Sequence, residues 1–336
     1  MITYNMEIKN PGPILTDLLS AVHSFNAADH VYVSSITSGE QLTPAGSGSS
    51  LSAFDIKESP LPGILNILGI RSLTLNSVHH LQTLSRFNVA APATAMEERM
   101  QEFFKDCEVI KDLQSIFSNC RTIAFDDWAT IGGASVLWNG LLTDVIRPLG
   151  KIDLEFIFYL GDPAKKLSFE VDEALDIISA FSLHGKVTFA LDENEAIRLW
   201  MILNGVQPGT EIVEQSAADL KKKYISIFRT MNITRLLIYS ASDAILYADD
   251  QQFVLSRKKV DYNIEIASDA RQNFIAGYSI GVLLQLDIGH CIALGLIVFG
   301  SHGELKSFPE RKDLYAYIRN WIQDLEKPAE IQLYQD

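Results

Sequence analysis

Two helix starts in this chain hold residue types that could do chemistry, one suited to an anion and one rich in acids. Ala267–Leu286, ASDARQNFIAGYSIGVLLQL, runs from small and polar residues into an apolar helix. The first turn of such a helix has unpaired backbone N–H groups and the positive end of the helix dipole, which together attract an anion. Leu191-Asp192-Glu193-Asn194-Glu195-Ala196 places three acids at another helix start. Asp192 there suits an N-cap, and the acids of the first turn suit the dipole. Other chemistries lack their residues. The histidines at 23, 30, 79, 80, 184, 290 and 302 show no metal-ligand spacing with Cys or carboxylates. His79 and His80 are adjacent, and adjacent side chains point apart on a helix or strand. Ser135, Ser168 and Ser182 have no G-x-S-x-G context, and no Walker A motif occurs.

The elements that position these stretches follow from hydrophobic periodicity. Helices are expected at Pro13–Phe25, Pro62–Leu68, Glu102–Phe117, Ser135–Ile146, Phe169–Phe181, Glu193–Leu203, Ala217–Thr230, Gln272–Leu286, Gly289–Phe299 and Arg311–Leu325. Strands are expected at His30–Ile36, Ser72–Leu75, Thr122–Phe125, Leu154–Leu160, Lys186–Leu191 and Arg235–Tyr239, with short β pieces at Ile245–Tyr247 and Gln252–Leu255. Thr37–Ser52, with its GSGSS run, reads as an exposed loop. Strands apolar on both faces and separated by amphipathic helices imply a mostly parallel sheet covered on both sides. Ligands bind such sheets at the carboxyl ends of the strands. Trp128 and Trp138, flanking Gly132-Gly133, read as core or cleft residues.

With 336 residues, 47% of them hydrophobic, the chain can bury one large α/β core. A net charge of −14 excludes the basic surface that nucleic acids need and disfavours an anionic membrane. Cys107, Cys120 and Cys291 are scattered, without C-x-x-C, so neither a zinc site nor a disulfide framework is expected. MITYNMEIKNPGPIL has no basic region followed by an apolar one, and Cys291–Phe299 is too short to span a bilayer. The expectation is a soluble, cytoplasmic protein.

Residues 100–325 resemble the pfkB/ribokinase family of carbohydrate kinases. The family's C-terminal signature reads roughly T-T-G-A-G-D-x-F-x-A-G, and Asn273-Phe274-Ile275-Ala276-Gly277 fits its end. Gly161-Asp162-Pro163 resembles a strand ending in an Asp-Pro turn near the metal and phosphates. Asp192 to Glu195 resembles N-x-x-E, whose glutamate helps hold Mg²⁺ through water; Asp192 is then either a cap or a metal neighbour. Ser240, Ala241 and Ala244 occupy the family's nucleotide-holding turn, and Gly295 and Gly300 fit the helix that lines the adenine site.

The resemblance implies a three-layer αβα sandwich with a mostly parallel sheet and a small or reduced lid. Residues 1–100 would be a divergent N-terminal part of the same domain, including any lid, and 101–336 the core. It also implies Mg²⁺ and ATP as cofactors of an active member, a sugar or nucleotide as ligand, and a homodimer through the lid. The signature departs from the family where it matters. Gln272 stands at the catalytic base position, and an amide has no useful basicity. Ala270, Arg271 and Asn273 surround the anion hole, where glycine would allow close backbone approach. Asp269, as a displaced base with Arg271 on the phosphate, is the alternative; otherwise its carboxylate repels a phosphate. In the N-terminal third, Pro60–Gly69 resembles the helix after the sugar-gripping run, but no Gly-Gly…Asn precedes it, and GSGSS is a remnant of that run or a plain loop. The expected function is therefore a sugar kinase homologue, catalytically impaired or inactive, that binds a nucleotide, sugar or partner. The alternative is an active ATP-dependent carbohydrate or nucleoside kinase with an altered site.

Overall fold

The computed structural model describes residues 5–24, 31–34, 71–74, 101, 104–118, 122–125, 128–129, 133–206, 216–240, 243–249, 251–257, 270–305 and 310–326. The described strands form one nine-stranded sheet in the order β1-β9-β8-β7-β6-β5-β4-β2-β3. The strands are β1 Asn5–Ile8, β2 Val31–Ser34, β3 Arg71–Thr74, β4 Thr122–Phe125 and β5 Leu154–Tyr159. They continue with β6 Gly185–Asp192, β7 Arg235–Tyr239, β8 Asp243–Ala248 and β9 Gln251–Ser256. Pairing is parallel except that β8 runs antiparallel to both β7 and β9, so eight of the nine strands point one way.

Alternation along the strands divides the core into two layers. Phe156, Phe158, Val187, Phe189, Leu191, Leu236 and Ile238 face one side; Ile157, Tyr159, Ala190, Leu237 and Tyr239 face the other. The first layer is covered by α2 Cys107–Ser118, α3 Ala134–Gly140, α4 Ser168–Phe181, α5 Glu193–Leu203 and α6 Ala217–Thr230. Its centre is aromatic: Phe125 stacks on Phe158 at 4.4 Å, and Trp138 and Phe181 meet both edge-on. The second layer is covered by α1 Pro11–Ser24, α7 Ala270–Leu283, α8 Ile288–Leu305 and α9 Arg311–Glu326. This is the expected three-layer, mostly parallel αβα architecture. No described helix is long and apolar enough to cross a membrane.

Several boundaries differ from the periodicity for local reasons. α2 starts at Cys107, not Glu102, because the Asp106 carboxylate accepts from the Glu108 N–H at 2.9 Å and caps the helix there. α3 runs on through a π-helical turn, Leu141–Ile146, to Leu149. α7 stops at Leu283, where Gln285 turns left-handed (φ 58°) and the Leu286 N–H donates to the Gly281 carbonyl at 3.0 Å. The two short β pieces are full strands of a hairpin turning at Asp249. Asn5–Ile8 is a strand that the sequence pattern did not indicate; it pairs with β9. The expected loop at Thr37–Ser52 and the expected helix at Pro62–Leu68 lie outside the described residues.

Candidate functional site

The carboxyl ends of β5, β6 and β7 collect most of the chemistry-bearing residues. β6 ends on Asp192, which is also the N-cap of α5. Asp192 Oδ1 accepts from the Glu195 N–H at 2.8 Å, and Glu195 Oε2 accepts from the Asp192 N–H at 2.9 Å. This reciprocal capping box follows from acids at N-cap and N3. Glu195 is buried, and its Oε1 accepts from the Tyr159 hydroxyl at 2.8 Å, from the last residue of β5.

Past β5, Gly161 takes a left-handed φ of 72°, and Asp162 then caps the short 3₁₀ turn Pro163–Lys165. Its Oδ1 accepts from the Ala164 N–H at 3.0 Å, while Oδ2 pairs with the Arg198 guanidinium. Glu193, first in α5, is exposed to solvent. Desolvation by its neighbours and then the charges of Asp243 and Asp192 push its carboxyl above the usual range, against the Tyr224 hydroxyl, which favours the ionised form. The β7–β8 turn closes when the Ser240 N–H donates to the Asp243 carbonyl at 2.8 Å and the Asp243 N–H donates to Ser240 Oγ at 3.1 Å.

α7 runs antiparallel to the strands, with its N-terminus at this same end. Phe274 in its early turns stacks flat on Tyr239, the last residue of β7, at 4.2 Å and 2°. One turn later the Tyr278 hydroxyl lies 3.3 Å from Thr188 Oγ1, midway down β6. Gln272 and Arg271 therefore sit in the first turn of a helix that opens over the carboxyl ends. Asn273 is fully buried there.

The candidate residues fall into three groups. Asp162, Asp192, Glu195 and Ser240 lie at the carboxyl ends of the adjacent strands β5, β6 and β7, with the first turn of α7 carrying Ala270, Arg271, Gln272 and Asn273. Ala244, Gly295 and Gly300 are packed inside the second layer. Ala244 is fully buried in β8, and a Cβ on Gly295 would come within 2.8 Å of the Phe274 ring. A Cβ on Gly300 would collide with Tyr317, and one on Gly277 with the Leu294 carbonyl. These glycines let α7, α8 and α9 approach closely. Asp269 and Ala241 lie outside the described residues. Trp128 and Trp138 are both core residues, and the Trp128 indole N–H donates to Ser135 Oγ at 3.0 Å.

Arg198, Tyr159, Glu193 and Asp243 were not indicated by the sequence. Only Glu193 had a local signal, its place in an acidic first turn. A second polar group, also unmarked in the sequence, lies at the amino ends. Arg235, which opens β7, pairs with Glu155 of β5 at 3.2 Å beneath Tyr278 of α7. Burial alone would lower the Arg235 pKa, but Tyr278 and Glu155 hold it above its usual value. Burial pushes the neighbouring Cys291 thiol up to about 12, so it is not a thiolate nucleophile at neutral pH.

The donor set does not fit a resident Mg²⁺ ion. Of the six carboxylate oxygens of Asp162, Asp192 and Glu195, five accept the protein hydrogen bonds named above. Among the described residues, no group of three or more His, Cys, Asp or Glu is placed to hold a metal ion.

No protein-family model matches the chain, and no curated protein matches it. Solved structures similar to it include an Arabidopsis thaliana ribokinase complexed with ribose and ATP, at 11% identity and a TM-score of 0.44. That match covers 62% of this chain and 59% of the ribokinase. An Anopheles gambiae adenosine kinase in complex with P1,P4-di(adenosine-5) tetraphosphate matches at 16% identity and a TM-score of 0.45, over 62% of this chain and 58% of that one. A PfkB protein from Polaromonas sp. JS666 matches at 14% identity and a TM-score of 0.41, over 60% and 59%. The chain thus spans less than two thirds of the length of each of these structures.

Proposed function

We propose that this protein is a homologue of the pfkB carbohydrate kinases that has lost phosphotransfer and binds a nucleotide, a sugar or a partner at the carboxyl end of its sheet. The observation that carries the reading is Gln272 in the first turn of α7, over the ends of β6 and β7. In a kinase of this family that position needs a base for the acceptor hydroxyl, and an amide cannot accept its proton. The N–H groups of the turn still make an anion site. The chain would then bind the class of ligand that the family binds, without turning it over.

A thermal-unfolding titration with ATP, with and without a panel of sugars, tests this. A ligand at a hundred times its Kd stabilises the fold by about 2.7 kcal/mol. The expected outcome is a ligand-dependent rise in midpoint with no ADP released. Turnover that disappears in Asp269→Ala would replace this reading with an active, altered kinase. A flat response to every nucleotide and sugar would leave a protein partner as the ligand.

A further inference from the structure

The family resemblance puts Mg²⁺ beside Asp162, Asp192 and Glu195, yet these side chains are committed to two separate sets of protein hydrogen bonds. We propose that this site works without a divalent cation, with the Arg198 guanidinium in the cation's place beside Asp162, so that a phosphate-bearing ligand binds metal-free. The proposal takes the identity of the site from the functional reading above.

Three observations converge on it. First, Asp162 is neutralised where it stands. Oδ1 is fixed by the Ala164 N–H, and Oδ2 by Arg198, which reaches back from the second turn of α5. The pair is not sealed off: the Arg198 side chain is 35% exposed and that of Asp162 is 18% exposed, so the guanidinium keeps a face toward solvent. Second, both Glu195 oxygens are committed, one to the Tyr159 hydroxyl and the other to the Asp192 N–H. Mg²⁺ demands near-octahedral oxygen ligands and gives up water reluctantly, so carboxylates committed to backbone amides and a phenol are poor ligands for it. Third, a dication near Asp162 would also lie near a fixed guanidinium, and like charges repel. Arginine is suited to the substitute role, because its planar fork offers several donors to a phosphate while it holds a carboxylate.

The test is a titration of the full chain with MnCl₂, reading free Mn²⁺ by electron paramagnetic resonance, for wild type, Asp162→Asn, Glu195→Gln, Arg198→Met and Arg198→Gln. Wild type and the two carboxylate variants should give superimposable curves. Both Arg198 variants should leave the Mn²⁺ curve unchanged, because the Asp192 and Glu195 oxygens stay committed, and should lose at least tenfold in affinity for inorganic tripolyphosphate measured in EDTA; two are used so that a folding defect in one does not decide the result. A stoichiometric wild-type site weakened tenfold or more by Asp162→Asn or Glu195→Gln would overturn the proposal. No tripolyphosphate binding by wild type in EDTA, or wild-type affinity for it in both folded Arg198 variants, would overturn the guanidinium's part in it. The readout needs no nucleotide, so it stands whether or not ATP shifts the unfolding midpoint. If ATP does shift it, the shift should persist unchanged in EDTA, and its loss in EDTA would also overturn the proposal.

Discussion

The two ends of the sheet each hold an arginine paired with an acid on or just after β5, and the two pairs are built differently. At the amino ends, Arg235 and Glu155 are 80 residues apart, both less than a fifth exposed, and covered by Tyr278 of α7. Tyr278 in turn meets Thr188 across 90 residues of sequence. That network ties the helical layer to three adjacent strands. At the carboxyl ends, Asp192 and Glu195 close on each other within one helical turn, and Asp162 is met by Arg198 at the partly exposed rim. The first arrangement is buried and belongs to the assembly of layers. The second is local, and its cation still faces solvent. Similar residue types thus serve as cross-layer ties at one end and form a partly solvent-exposed rim at the other.

Substitutions can break this contrast. The largest effect should come from Arg235→Met, which strands Glu155 under α7 and should cost about 3 kcal/mol in urea unfolding. A cost below 1 kcal/mol would mean that the amino-end pair is as loosely held as a surface pair. Next, Tyr159→Phe leaves buried Glu195 Oε1 without its phenol and should cost about 2 kcal/mol. Asp192→Ala removes the N-cap of α5 and should cost about 1 kcal/mol, with helical content otherwise retained by circular dichroism.

The smallest effect is one of pH. The Glu193 carboxyl is raised in the folded state, chiefly by desolvation, above its ordinary 4.5. The folded chain then binds this proton more readily than the unfolded chain. The contribution is favourable at low pH and is lost as pH rises through the folded pKa. Glu193→Gln should therefore be more stable than wild type at pH 7, and the two should converge as pH falls toward 4.5. A difference that widens on acidification would contradict the raised carboxyl of Glu193.

Local signals were read well. Glu193–Leu203, Ala217–Thr230, Thr122–Phe125 and Arg235–Tyr239 begin and end where the residue pattern places them. Asp192 as a cap was legible because its partner is three residues away. Asn5–Ile8 was not legible as a strand, since four residues at a sheet edge carry little periodicity and the strand exists only through β9. What the glycines of α7 and α8 admit was not legible in sequence, and only the structure shows the close approach of Gly277 to Leu294 and of Gly295 to Phe274.

By itself the sequence determined the alternating helices and strands and the mostly parallel three-layer class. These depend on hydrophobic periodicity and on residue identity, which act within a few residues. The tertiary structure alone decided that Arg198 reaches Asp162, that Tyr159 holds Glu195 and that Arg235, Glu155 and Tyr278 meet beneath α7. Those contacts join residues 36 to 80 positions apart in the ion pairs and hydrogen bonds, and a charge has no partner in sequence until the sheet brings its strands side by side.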